Sequence, residues 1–153
     1  MATSGDNSKK ALADALNGVL ADHFALYLKT KNFHWHVKGN RFHDLHLLFD
    51  SQATQIIGVT DLIAERVRKN GGDTLTSIGS IAQHSSIADQ DSTSLDADAM
   101  VKELAEDNRK LIEGIREAKK AAGDAGDNAT DGLTDDWTDQ AEERAWFLES
   151  IAA

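Results

Sequence analysis

The sequence predicts an all-α protein, a four-helix bundle with one short helix in a long crossover between its second and third long helices. Three observations carry this. Apolar residues recur at helical spacing through nearly the whole chain. The 153 residues include no proline, so long helices can run without a break. Two connections between the apolar runs are short and one is long. A chain of this length builds one domain with a real core rather than two. Its 41% hydrophobic and 27% charged residues give the balance of a folded protein, not a disordered one.

Residues 1–7 are expected to form a short flexible tail, and residues 8–153 the bundle domain. The first helix reads from Ser8 to His36, with Leu12, Leu16, Val19, Leu20, Phe24 and Tyr27 on one stripe. The turn Val37-Lys38-Gly39-Asn40 ends it, and Asn40 is the expected N-cap of the next helix. The second helix runs from Arg41 to Asn70 and carries Phe42, Leu45, Phe49, Ile56, Ile63 and Val67 before Gly71-Gly72 stops it. From Asp73 to Leu95 the pattern weakens, with room for a short helix near Ser77 to His84. The third long helix spans Asp96 to Ala122, with Met100, Val101, Leu104, Leu111, Ile112 and Ile115, and residues 123–126 break it. The fourth begins near Asn128, with Asp131 three residues on as in a capping box. It continues to Ser150 through Leu133, Trp137, Ala141, Phe147 and Leu148. Short connections make antiparallel pairs, and the long crossover marks a ferritin-like bundle rather than a simple up-and-down one.

Composition narrows the chemistry. The formal net charge of −10 repels phosphate backbones and attracts cations. There is no cysteine, which excludes disulfides and thiolate ligands, so any metal must sit on nitrogen and oxygen donors. Such donors suit iron, zinc or manganese. Met1 to Lys10 lacks the apolar stretch of a signal peptide, and no run approaches the roughly 18 apolar residues of a membrane span. A cytoplasmic protein with no membrane partner is the expectation.

The second helix holds the informative pattern. With His46 at zero and about 100° per residue, Asp50 falls near 40°, Asp61 near 60° and Glu65 near 100°. The apolar residues of the same helix gather at about 260–320°, so the metal-type residues face away from the subunit's own core. His34, across the Gly39 turn, can lean toward His46. Asp50 and Asp61 stand about 16 Å apart along the axis and cannot share one metal within a single helix. A two-fold axis resolves this: the Asp61–Glu65 end of one chain meets the His46–Asp50 end of its copy, giving two equivalent sites per dimer. Ala53, Thr54, Ile57 and Gly58 are expected to line that seam. No Glu has a His three residues later, so the usual site inside a ferritin bundle is absent. On spacing alone, a plain solvated face explains the same acids equally well.

The segment Asn32-Phe33-His34-Trp35-His36-Val37-Lys38-Gly39, followed by Phe42, Leu45-His46, Asp50, Asp61 and Ala64-Glu65-Arg66, closely resembles the Dps family (DNA-binding proteins from starved cells, or mini-ferritins). The likeness extends along the chain in helix order and includes Trp146-Phe147-Leu148 near the end. It implies a dodecameric hollow shell with ferroxidase centres at two-fold interfaces. His34, His46 and Asp50 would come from one subunit, and Asp61 and Glu65 from its neighbour. It further implies two ferrous ions per centre, oxidised preferably by hydrogen peroxide, with ferric iron stored inside as mineral. Trp35 resembles the family tryptophan beside the site, which can accept an oxidising equivalent; packing between subunits is the plainer role.

Other candidates carry less. His43 shares the Asp61 face but is more often a surface residue, His36 matches no family ligand, His23 is too far along its helix to join the site, and His84 has no evident partner. Asp127, Asp131 and Asp135 stand four residues apart in turn around the start of the fourth helix. The resemblance gives acids in this region a role in three-fold iron pores, while acids at a helix start also complement its dipole. The termini do not favour DNA binding: Lys9 and Lys10 stand beside Asp6, and Ser150 to Ala153 carry no basic residue. A zinc or manganese store without redox turnover and a DNA-compacting particle remain the competing readings.

Overall fold

The computed structural model describes residues 4–153. Met1 to Thr3, part of the expected tail, lie outside the described residues. Six helices follow in order: α1 (Ser4–His36), α2 (Phe42–Gly58), α3 (Thr60–Lys69), α4 (Ile78–His84), α5 (Ala97–Asp124) and α6 (Asn128–Ala152). Among the described residues there is no strand. Helix α1 starts at Ser4, four residues earlier than expected.

The predicted stripes meet in one core. Leu12, Leu16, Leu20, Leu26 and Phe33 of α1 pack with Phe49 and Ile56 of α2, Ile63 and Val67 of α3, Met100, Leu104 and Leu111 of α5, and Trp137 and Leu148 of α6. Phe42 departs from its stripe: at 43% exposure it stands at the helix start, where its ring stacks on His46 instead of joining the core. Phe147 is likewise exposed beside Trp146.

The second predicted helix is two helices, not one. Gly58, Val59 and Thr60 are three poor helix formers in a row. There the Val59 N–H reaches Ile56 O at 3.5 Å, a tightened and weak bond, and the Thr60 hydroxyl donates to Ile57 O at 2.8 Å. Ile63 N–H to Val59 O at 3.1 Å restarts the ladder. Ile56, Ile63 and Val67 remain buried on one side, so the interruption preserves the face.

The caps also differ from expectation. Asn40 does not cap α2; Gly39 makes the turn at φ +107, and Arg41 holds the N-cap position with no side-chain capping bond. Arg41 instead pairs with Asp98 at the start of α5. Helix α5 runs through Gly123, and the chain turns at Gly126 with φ +70. The α6 capping residue is Asp127, not Asn128, and its carboxylate accepts from Thr130 N–H at 3.1 Å. Arg66 of α3 reaches the same carboxylate at 2.8 and 2.9 Å, and Asn70 at 2.8 Å.

Burial alone would raise the Asp127 pKa, but the bonds from Thr130, Arg66 and Asn70 outweigh it and hold the carboxyl well below the ordinary range. A depressed folded-state pKa means that the unfolded chain binds more protons in acid. The stabilisation is present above the ordinary carboxylate pKa and is lost as pH falls toward the lowered value. Asp127→Ala should cost about 2–4 kcal/mol near neutral pH, combining a lost cap with a stranded, half-buried Arg66. It should also flatten the acid limb of the stability–pH curve, read by urea unfolding between neutral and strongly acid pH.

Residues on one side of α1 strap down the crossover. The buried Asp22 carboxylate accepts from Ser85 Oγ (3.1 Å), Ser86 N–H (2.7 Å) and Ser86 Oγ (2.8 Å). Lys29 donates to Ala88 O at 2.9 Å, and Asn32 to Gln90 O at 2.9 Å. The crossover thus lies along α1, and the face of α2 and α3 that carries the candidate ligands is left uncovered by it.

Candidate metal centre

His34 and His46 are joined by a reciprocal pair of hydrogen bonds. Each ring's Nδ1–H donates to the other's main-chain carbonyl at 2.7 Å, and the rings stack with centroids 3.9 Å apart. The helix end explains half of this. His34 lies in the last turn of α1, where carbonyls lack partners within the helix, and His46 supplies one. A carbonyl only accepts, so Nδ1 must carry the proton on each ring. In the neutral imidazoles Nε2 then keeps its lone pair, the form a metal needs.

Asp50 stands one turn after His46 on α2. Its Oδ1 lies 3.8 Å from His34 Nε2, a gap that a small divalent ion with bonds of about 2.0–2.2 Å to each donor can bridge. Lys31 Nζ donates to the same oxygen at 2.8 Å. That hydrogen bond holds the Asp50 carboxyl below its usual range, against the opposing effect of burial. Trp35 is 58% exposed beside the cluster, with Lys31 Nζ 5.8 Å from its ring centroid.

Asp61 and Glu65 do not join the cluster within one chain. Both are exposed on α3, beyond the Val59 interruption, and Glu65 approaches Lys69 at 4.0 Å. Among the described residues, no group of three or more His, Asp or Glu side chains of a single chain could hold a metal ion. Of the expected seam residues, Thr54 and Gly58 are exposed and Ile57 is half-buried. Ala53 is a correction: it is fully buried, because its position turns it into the core beside Phe49 and Ile56. Leu47 and Leu62, at 53% and 41% exposure, interrupt the acidic face with apolar surface.

The Ferritin-like domain family model matches residues 13–153. The DNA protection during starvation protein of Brevibacillus brevis is 31% identical over 95% of its own length and 93% of this chain. The crystal structure of a Dps protein from Bacillus brevis superposes with a TM-score of 0.92 at 30% identity, covering 100% of both chains. The chain belongs to the Dps family of ferritin-like proteins. A Dps protein from Vibrio cholerae O1, described as a member of a broad superfamily of ferritin-like diiron-carboxylate proteins, superposes at 0.90 with 26% identity, covering 96% of this chain and 92% of that one.

The remaining polar residues of this Dps chain sort readily. His23 is buried in the bundle and pushed down to about 4, chiefly by burial, with its hydrogen bond to Val19 O opposing and Arg144 adding to the fall. It is a neutral core histidine. His36 turns its Nδ1 back to Asn32, at 3.0 Å from the carbonyl and 2.7 Å from Oδ1, and His84 bonds Ser80 O at 2.7 Å. His43 is exposed at the start of α2. Of the acids at the start of α6, Asp127 is consumed by its Arg66 and Asn70 bonds, while Lys119 pairs with Asp131 and lies 2.9 Å from Asp135. Sequence reasoning passes over Lys31. A signal for it exists: a lysine three residues before His34, on the same helical face.

Among the described residues no helix is long and apolar enough to cross a membrane.

Proposed function

We propose that this chain is a ferroxidase and iron-storage subunit. In this reading it oxidises ferrous iron, preferably with hydrogen peroxide, and stores the ferric product inside a hollow dodecamer in the cytoplasm. The observation that carries the reading is the His34–His46 pair, each ring locked by its Nδ1 bond so that Nε2 keeps its lone pair, with His34 Nε2 3.8 Å from Asp50, on a chain of the Dps family. Asp61 and Glu65 of a two-fold-related copy complete the donor set, two imidazoles and three carboxylates per centre. Exposed Leu47 and Leu62 among these acids support a face that packs against another copy rather than one fully solvated.

Iron is here the substrate. Two ferrous ions per centre each give up one electron, and one peroxide takes both; with two protons it leaves as two waters, so no hydroxyl radical is released. The neutral imidazoles suit ferrous iron, and the carboxylates stabilise the added charge of the ferric product. Asp50, ionised and in place, needs no proton loss before it binds. Trp35, exposed beside the cluster, is suited to take up a stray oxidising equivalent and equally to pack against a neighbouring subunit. Consuming iron and peroxide protects nucleic acid without contact with it. The net charge of −10 per chain, with Lys10 already paired to Asp14 at 3.2 Å, does not favour DNA as a partner.

The test is the rate of ferrous oxidation by hydrogen peroxide with and without protein, followed by size-exclusion chromatography of the iron. Oxidation faster than in buffer, with ferric iron eluting in a large particle, is the expected result. If ferrous iron or zinc binds but is oxidised no faster than in buffer, the protein is a metal store without redox turnover.

A further inference from the structure

We propose that Lys31 is a tethered cation that competes with incoming divalent metal for Asp50 and so sets the affinity of the centre. The inference rests on the metal-centre reading above. Lys31 Nζ and His34 Nε2 approach the same oxygen, Asp50 Oδ1, at 2.8 and 3.8 Å. A metal bound by His34 and Asp50 must therefore take an oxygen that Lys31 already holds.

The chemistry of the ammonium makes it a competitor and not a ligand. It has three donors and no lone pair, so while protonated it cannot enter a metal's donor set. Its positive charge also opposes a second cation at the same carboxylate. The same ammonium already lies 5.8 Å from the centroid of the Trp35 ring, within reach of a cation–π contact that does not depend on Asp50. The pair is partly open to solvent, with the Asp50 side chain half exposed, which limits its strength. A single ion pair of that kind corresponds to a change in competing affinity of about two- to fivefold.

Zinc, which does not turn over, is the probe. Calorimetric titration of the assembled full-length protein with Zn(II) is compared for the native chain, Lys31→Met, Lys31→Arg and Asp50→Asn. The proposal expects Lys31→Met to bind zinc about two- to fivefold more tightly. Lys31→Arg, whose guanidinium can grip the carboxylate with two donors, should bind no more tightly than the native protein. Unchanged or weaker binding by Lys31→Met, with Asp50→Asn weakened, overturns the proposal alone: Lys31 is then passive, or orients Asp50. Native-like zinc binding by Asp50→Asn overturns the metal-centre reading and the proposal with it.

Discussion

Subunits carrying His46→Ala and subunits carrying Asp61→Ala, each nearly inactive alone, should recover about a quarter of native peroxide-dependent iron oxidation when co-assembled in equal amounts. The figure follows from the two-fold seam. In a mixed pair, one site receives His46 from the Asp61→Ala chain and Asp61 from the His46→Ala chain, and is intact. The other site receives both alterations. Random mixing makes about half of the pairs mixed, and half of the sites in those pairs are whole. Each homogeneous variant should lose at least about tenfold to a hundredfold, the loss caused even by altering an outer partner of a metal ligand. The measurement is the initial rate of ferric formation after joint refolding, against the same variants refolded separately. Mixed protein as inactive as its parents would place His46 and Asp61 in one chain's site and remove the shared centre.

That the site can be argued at all from sequence comes from helix periodicity. The faces of His46, Asp50, Asp61 and Glu65 are legible because a helix converts spacing into direction, and the apolar residues Leu45, Phe49, Ile56, Ile63 and Val67 fix which side is the core. The interruption at Val59 leaves the stripe in register, so the apolar pattern carries no mark of it. Gly58 gives no warning either, since a small residue suits a close seam as well as a helix break. Ala53 is misplaced for a related reason. Alanine carries too little hydrophobic signal to show whether it sits in a core or on a small-residue contact. The caps shift by a residue or so, as helix ends do, since Asn40, Asn128 and Asp127 are all credible capping residues. What decides among them is distant: Asp127 is fixed by Arg66, sixty-one residues away in sequence, with Nη2 2.8 Å from the carboxylate. Lys31 is legible only as a neighbour of His34 on its helix, for the same reason. Its meaning depends on Asp50, which only the antiparallel packing of α1 on α2 brings within 2.8 Å.

The crossover holds the second large expected effect. Lys29 is 7% exposed, with Nζ 2.8 Å from Asp107 and 3.2 Å from Glu103, and it also donates to Ala88 O. It joins α1, α5 and the crossover at one point inside the protein. Burial raises the Asp107 pKa, with the Lys29 ammonium opposing that rise. Lys29→Met removes the opposition and leaves a buried carboxylate without its cation, which should destabilise the fold by about 3–5 kcal/mol near neutral pH. The sign of the pH dependence follows. With the folded-state pKa raised, the folded chain binds more protons than the unfolded one, so stability falls as pH climbs from the ordinary carboxylate value through the raised one. The Lys29→Met protein should therefore recover part of its loss in mild acid, where the native protein gains less. Adding Asp107→Leu should return most of the lost stability at neutral pH, because an apolar pair of similar volume replaces a buried ion pair at little net cost. Urea unfolding of the two single variants and the double variant, at mildly acid and mildly alkaline pH, reads all of this in one cycle. If Lys29→Met is as stable as the native protein at both pH values, the buried ion pair contributes nothing. The crossover would then be held by the Asp22 and Asn32 bonds alone.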